Sequence, residues 1–159
     1  MIRVLFVCLG NICRSPMAEA VFQHMVDEAG LTKYFQVDSA GTGDWHVGEM
    51  AHQGTRTVLQ KHNIPYDGRA RQFISRDWSE FEYILAMDES NLAGMMRLKP
   101  HSDAHAEAKL FMSDANVDKT TSITQVPDPY YTGKYDQTYD LVNIGAKALL
   151  RAIRKKHGI

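Results

Sequence analysis

Ile2 to Val7, IRVLFV, is a short run of mostly apolar, partly β-branched residues and reads as a strand buried on both faces. Ala18, Val21, Phe22, Met25 and Val26 then recur at helical spacing, which predicts a first helix that Gly30 stops. Ser15-Pro16 offers this helix an N-cap followed by a proline suited to its first position. Phe35 to Ala40 is a second strand candidate, and Thr55, Val58 and Leu59 mark a second helix over Ala51 to His62, broken by Asn63-Ile64-Pro65. Tyr83 to Met87 predicts a third strand, Glu89 to Arg97 a helix and Ala108 to Met112 a fourth strand. Leu141, Ile144, Ala148, Leu149, Ala152 and Ile153 share one face of a long final helix from Tyr139 to Lys156. Ser113 to Gln137 reads as a loop long enough to suspect function.

Strands alternating with helices predict an α/β fold of three layers: a central four-stranded parallel sheet with helices on both faces, flavodoxin-like or Rossmann-like. Ligands in such folds sit at the carboxyl ends of the strands, and Cys8 stands at one of these ends. With 159 residues and no repeat, linker or low-complexity tract, a single domain spanning 1–159 is expected.

Charge narrows the partners. Eighteen basic residues against 19 acidic ones leave no basic field of the kind that nucleic acid attracts. The N-terminal apolar stretch ends at Leu9, too early for a signal peptide or a membrane span, so a soluble, cytoplasmic protein with neither nucleic acid nor membrane as partner is expected. Cys8 and Cys13 are the only cysteines, too few for a disulfide framework or a closed zinc site. His101 and His105 lack a third ligand at a fitting spacing, so neither metal nor cofactor is expected.

Between the first strand and the first helix lie Cys8, Leu9, Gly10, Asn11, Ile12, Cys13, Arg14 and Ser15. Glycine and asparagine tolerate positive φ, so this loop can turn successive N–H groups inward and add the positive end of a helix, which together favour an anion. Arg14, six positions after Cys8, can fork two hydrogen bonds onto a phosphate. The same field favours a thiolate at Cys8, and a thiolate is a nucleophile. Ser15 can offer its hydroxyl to that sulfur, cap the helix, or do both. Transfer of a phosphoryl group from an ester also needs an acid for the leaving oxygen.

VCLGNICRSPMAEAVF resembles the active-site loop of the low-molecular-weight protein tyrosine phosphatases. VDSAGTGDWHVG (Val37 to Gly48), ARQF (Ala70 to Phe73), YILAMDESN (Tyr83 to Asn91) and PDPYY (Pro127 to Tyr131) are similar to further segments of that family, so the likeness covers nearly the whole chain. It implies hydrolysis of phosphotyrosine and small aryl phosphates through a phosphocysteine, with Cys8 as nucleophile, Arg14 binding phosphate and Asp128 as general acid and then base. The resemblance makes Trp45, Tyr130 and Tyr131 walls of a crevice that a phenyl ring spans and a phosphoserine side chain does not. It makes Asn11 and Ser39 a polar pair supporting the loop. Asp88 is either a carboxylate near the pocket or the cap of the helix at Glu89.

Many relatives carry a histidine in the supporting network where Gly68 stands here, so the network is smaller or is completed by another group. Cys13 is either a packed small residue or the partner of Cys8 in a reversible disulfide formed under peroxide. The implied partners are phosphotyrosine-containing proteins, with phosphate and other oxyanions as competitive ligands, for a monomer or weak dimer. Ile12 favours the phosphotyrosine branch, because related protein arginine phosphatases resemble threonine at this position. An arginine phosphatase of the same fold and a phosphotyrosine-binding module without turnover are the alternatives. Thioredoxin-coupled arsenate reductases fit poorly, since no cysteine follows Cys13.

Overall fold

The computed structural model describes residues 1–159. In chain order it contains β1 (Ile2–Cys8), α1 (Arg14–Glu28), a 3-10 turn (Thr32–Tyr34), β2 (Phe35–Gly41), α2 (Gln53–Lys61), α3 (Asp77–Glu80) and β3 (Tyr83–Ala86). There follow α4 (Glu89–Met96), β4 (Glu107–Leu110), α5 (Ser113–Val117), α6 (Pro129–Thr132) and α7 (Tyr135–His157). The four strands form one sheet in the order β2-β1-β3-β4, and every pairing is parallel. This is the expected α/β architecture.

β1 is apolar at nearly every position because both its faces are covered. Val4, Phe6 and Cys8 join the larger core with Phe22 and Val26 of α1 and Leu149 and Ile153 of α7. Phe6 meets Phe22 and Phe111 edge to face, with ring centroids 5.5 Å apart in each pair. Leu5 and Val7 point the other way, onto Phe73, Trp78, Phe81 and Met95. Trp78 is wholly buried there, and its indole N–H donates to the Met95 carbonyl at 3.1 Å.

The strand order positions the site. From the centre of the sheet the chain leaves β1 for β2 on one side and later returns to β3 on the other, so the loops beyond β1 and β3 diverge. The crevice between such loops is where open α/β sheets bind ligands. Cys8 ends β1, and Asp88 follows β3 to cap α4, where its carboxylate accepts the Asn91 N–H at 2.8 Å.

Some elements differ from the sequence expectation. β4 ends at Leu110 rather than Met112, although Phe111 and Met112 are fully buried. Both side chains fill the core as the backbone turns into α5, so burial outlasts strand geometry. The stretch from Ser113 to Gln137 is not an open loop, since α5, α6 and the start of α7 lie within it. α3 escapes the periodic pattern because its four residues offer one large apolar side chain, Trp78. No helix is long and apolar enough to cross a membrane.

Candidate active site

The loop after β1 curls because its carbonyls are held from outside. The Cys8 and Leu9 carbonyls accept the Thr42 and Gly43 N–H groups at 3.0 and 2.9 Å, and the Ile12 carbonyl accepts the His52 N–H at 2.7 Å. The Cys13 carbonyl accepts the Thr55 hydroxyl at 3.0 Å. The backbone N–H groups of Leu9, Gly10, Ile12, Cys13, Arg14 and Ser15 consequently have no acceptor within the protein. Such a row of donors at the start of a fifteen-residue helix suits an anion. Asn11 takes the left-handed conformation, φ 57°, that the turn requires, whereas Gly10 does not use its freedom. Gly41 permits the loop to sit against β2, since a Cβ there would lie 2.7 Å from the Leu9 carbonyl oxygen.

Cys8 is buried, and its sulfur receives the Asn11 N–H at 3.3 Å. The Ser15 hydroxyl lies 3.0 Å from the same sulfur. Ser15 is therefore not the helix cap: α1 begins at Arg14, and Cys13 occupies the cap position with no side-chain capping bond. Pro16 accordingly sits in the first turn but not at its first position. Cys13 is a free thiol whose burial pushes its pKa up to about 12, and its sulfur lies 3.5 Å from the Tyr135 hydroxyl.

Arg14 is almost wholly buried. Its Nη1 donates to Asp88 Oδ2 at 2.7 Å and to the Val126 carbonyl at 2.9 Å, while Nη2 lies 3.5 Å from Asp128 Oδ2. The Nε–H is buried with no protein partner, which leaves a charged donor for an oxyanion. Burial opposes the charge, but Cys8, Asp88 and Asp128 outweigh it and raise the pKa of Arg14 above its ordinary value. One oxygen of Asp88 caps α4, and the other accepts from Arg14.

Asp128 caps α6 by accepting the Tyr130 N–H at 3.1 Å, with Pro129 opening the helix. A cleft of about 250 Å³ brings Cys8, Arg14 and Asp128 together with Trp45, Tyr130 and Tyr131. The three aromatic residues are exposed. His46, which spacing did not single out, also lines the cleft and pairs with Glu49.

Behind the loop, the Asn11 amide donates to the Ser15 hydroxyl at 2.8 Å and to the Ser39 hydroxyl at 2.9 Å, while its oxygen accepts the Arg71 N–H at 2.9 Å. Ser39 donates on to Glu19 Oε1 at 2.5 Å. Burial raises the Glu19 carboxyl to about 7. Glu19 was not legible beforehand, because a lone glutamate in PMAEAVF reads as the solvated side of a helix.

A parallel α/β sheet with a thiol ending its first strand, a buried arginine opening the next helix and unpaired N–H groups between them has the class of site suited to an oxyanion beside a cysteine. The family model described as low molecular weight phosphotyrosine protein phosphatase matches residues 3–158, and the chain belongs to that family. Low molecular weight protein-tyrosine-phosphatase YfkJ of Bacillus subtilis is 41% identical over 159 residues, covering 98% of each chain. The Staphylococcus epidermidis low molecular weight protein-tyrosine-phosphatase PtpA is 40% identical over 157 residues, 98% of this chain and 96% of its own. The crystal structure of YfkJ matches with a TM-score of 0.91 at 40% identity, covering 98% of this chain and 96% of that one. That of DARP, a Drosophila arginine phosphatase, matches with a TM-score of 0.87 at 29% identity, covering 95% and 97%.

Proposed function

We propose that this chain hydrolyses phosphotyrosine in proteins, and small aryl phosphates, through a phosphocysteine at Cys8, as one domain spanning residues 1–159. The observation that carries this reading is the Cys8 sulfur, 3.3 Å from the Asn11 N–H and 3.0 Å from the Ser15 hydroxyl, inside a loop of unpaired amides. The Cys8 thiolate attacks phosphorus in line with the ester bond. As that bond breaks, Asp128 gives its proton to the departing phenol oxygen. Asp128, now a carboxylate, then takes a proton from a water that attacks phosphorus. The sulfur–phosphorus bond breaks, and phosphate and thiolate are regenerated. The Arg14 Nε–H and the loop amides hold the equatorial oxygens, where phosphoryl transfer concentrates negative charge.

Trp45 and Tyr130 flank the substrate ring. The relative named as an arginine phosphatase makes phosphoarginine the second reading. Ile12 disfavours it, because this buried aliphatic residue lines the cleft with no hydroxyl for a guanidinium. Phosphate and similar oxyanions compete for the loop. Under peroxide, Cys8 becomes a sulfenic acid, which the Cys13 thiol converts to a disulfide with loss of water. Mass spectrometry of the oxidised protein should find this linked pair, and a sulfinic Cys8 beside a free Cys13 would contradict it.

Matched phosphotyrosyl, phosphoseryl and phosphoarginyl peptides test the substrate. Phosphate release is expected from the phosphotyrosyl peptide, under reducing conditions, and is lost in Cys8→Ser. Tight binding of that peptide without release by the wild type would make this a binding module. Faster release from phosphoarginine would make it an arginine phosphatase.

A further inference from the structure

The hydrogen-bond chain that begins at Cys8 has a member beyond Glu19. The Tyr66 hydroxyl donates to Glu19 Oε1 at 3.0 Å, the same oxygen that Ser39 reaches. Its ring packs partly buried against the main core. Gly68 allows this placement, because a Cβ there would lie 2.3 Å from the Tyr66 hydroxyl oxygen. Any side chain at position 68 would compete with the phenol for one space.

We propose that Tyr66, accommodated by Gly68, is a positioning residue of the phosphatase reaction, whose hydroxyl anchors the far end of the chain Glu19–Ser39–Asn11–Ser15 that directs a proton donor at Cys8. This rests on the reading of Cys8 as the nucleophile.

The direction of the chain follows from which groups can donate. An amide nitrogen only donates, and Asn11 uses its two hydrogens on Ser15 and Ser39 while Arg71 holds its oxygen. Each serine hydroxyl accepts from Asn11 and keeps its own proton to give onward. Ser39 gives its proton to Glu19. Ser15 has the Cys8 sulfur at 3.0 Å and, as a weaker acceptor, the Ala40 carbonyl at 3.5 Å.

A carboxylate at Glu19 keeps Ser39 a donor, whereas a protonated Glu19 offers Ser39 a competing proton. Tyr66 adds a second donor to the carboxylate and so favours the ionised form. The other charged groups facing Glu19 are Asp38 on β2, which raises its pKa, and Arg71, which lowers it. Arg71 is itself paired with Asp38 at 3.0 Å and Asp77 at 3.1 Å. Because burial places the Glu19 carboxyl at about 7, the two forms exchange near neutral pH.

Tyr66→Phe removes one oxygen and keeps the ring. The test measures kcat/KM for an aryl phosphate from about pH 5 to about pH 9, in this variant, in Glu19→Gln and in the double variant. At neutral pH, Tyr66→Phe should lose about five- to tenfold, and the deficit should narrow as Glu19 ionises, which moves the ascending limb to higher pH. Glu19→Gln has nothing to titrate at position 19, so adding Tyr66→Phe to it should displace nothing. A Tyr66→Phe profile that overlays the wild type would overturn the inference. So would a pH-independent loss repeated in the Glu19→Gln background, which is the mark of a merely structural role. A wild type inactive on aryl phosphates would instead remove the Cys8 reading beneath it.

Discussion

A single substitution separates the helix cap that Asp128 provides from the acid role proposed for it. Its carboxylate caps α6, and asparagine caps helices as well, so Asp128→Asn keeps the turn while removing the transferable proton. We expect kcat on aryl phosphates to fall by about 10²–10⁴-fold with the inhibition constant for phosphate little changed. Steady-state kinetics with phosphate as competitor checks this, and near-normal turnover would assign the proton to another acid.

Glu19 carries a consequence for stability. Burial raises its carboxyl from the ordinary carboxylate range to about 7, so the native state holds a proton that the unfolded chain releases. The resulting stabilisation is complete below the unfolded value and is lost as pH rises to about 7, at most about 3 kcal/mol and less for a side chain only partly buried. Urea denaturation should show the wild type losing stability across this interval more steeply than Glu19→Gln, and parallel curves would contradict the shift. Cys8 and Arg14 were legible because their chemistry and spacing lie within one short segment. Glu19 and Tyr66 were not, since their partnership joins a helix to a distant loop.

The close approach of the loop after β1 to β2 depends on Gly41. A methyl group there would lie 2.7 Å from the Leu9 carbonyl oxygen and 3.1 Å from the Asn11 backbone nitrogen, neither of which is a flexible tip. Gly41→Ala should displace the loop and lower kcat/KM by about a hundredfold, while far-UV circular dichroism remains that of the folded chain. Unchanged kinetics would mean that the loop tolerates the shift. β1, α1 and α7 were legible because each carries a long run of one periodicity. α3 and α6 were not, because four residues hold too little pattern and their shape depends on capping and on one buried ring. Ser15 misled for a related reason: a hydroxyl before a proline at a helix start has the composition of a cap whether or not a thiol lies 3.0 Å away.

The alternation of strands and helices made the parallel sheet predictable, but the order β2-β1-β3-β4 follows only from the folded chain. That order sets the loops beyond β1 and β3 on one crevice, where Arg14 meets Asp88 and Val126. Asp128 reaches the same crevice from far along the chain, and no local pattern links it to Cys8. Resemblance to a family, rather than periodicity, selected it. The proposed mechanism requires one covalent species, a phosphoryl group on Cys8 between two proton transfers by Asp128. Rapid acid quenching during turnover of an aryl phosphate, followed by fragmentation mass spectrometry of the loop peptide, should find one phosphoryl group on the Cys8 sulfur. Turnover with Cys8 unmodified at every quench time, or the label on another residue, would contradict the mechanism.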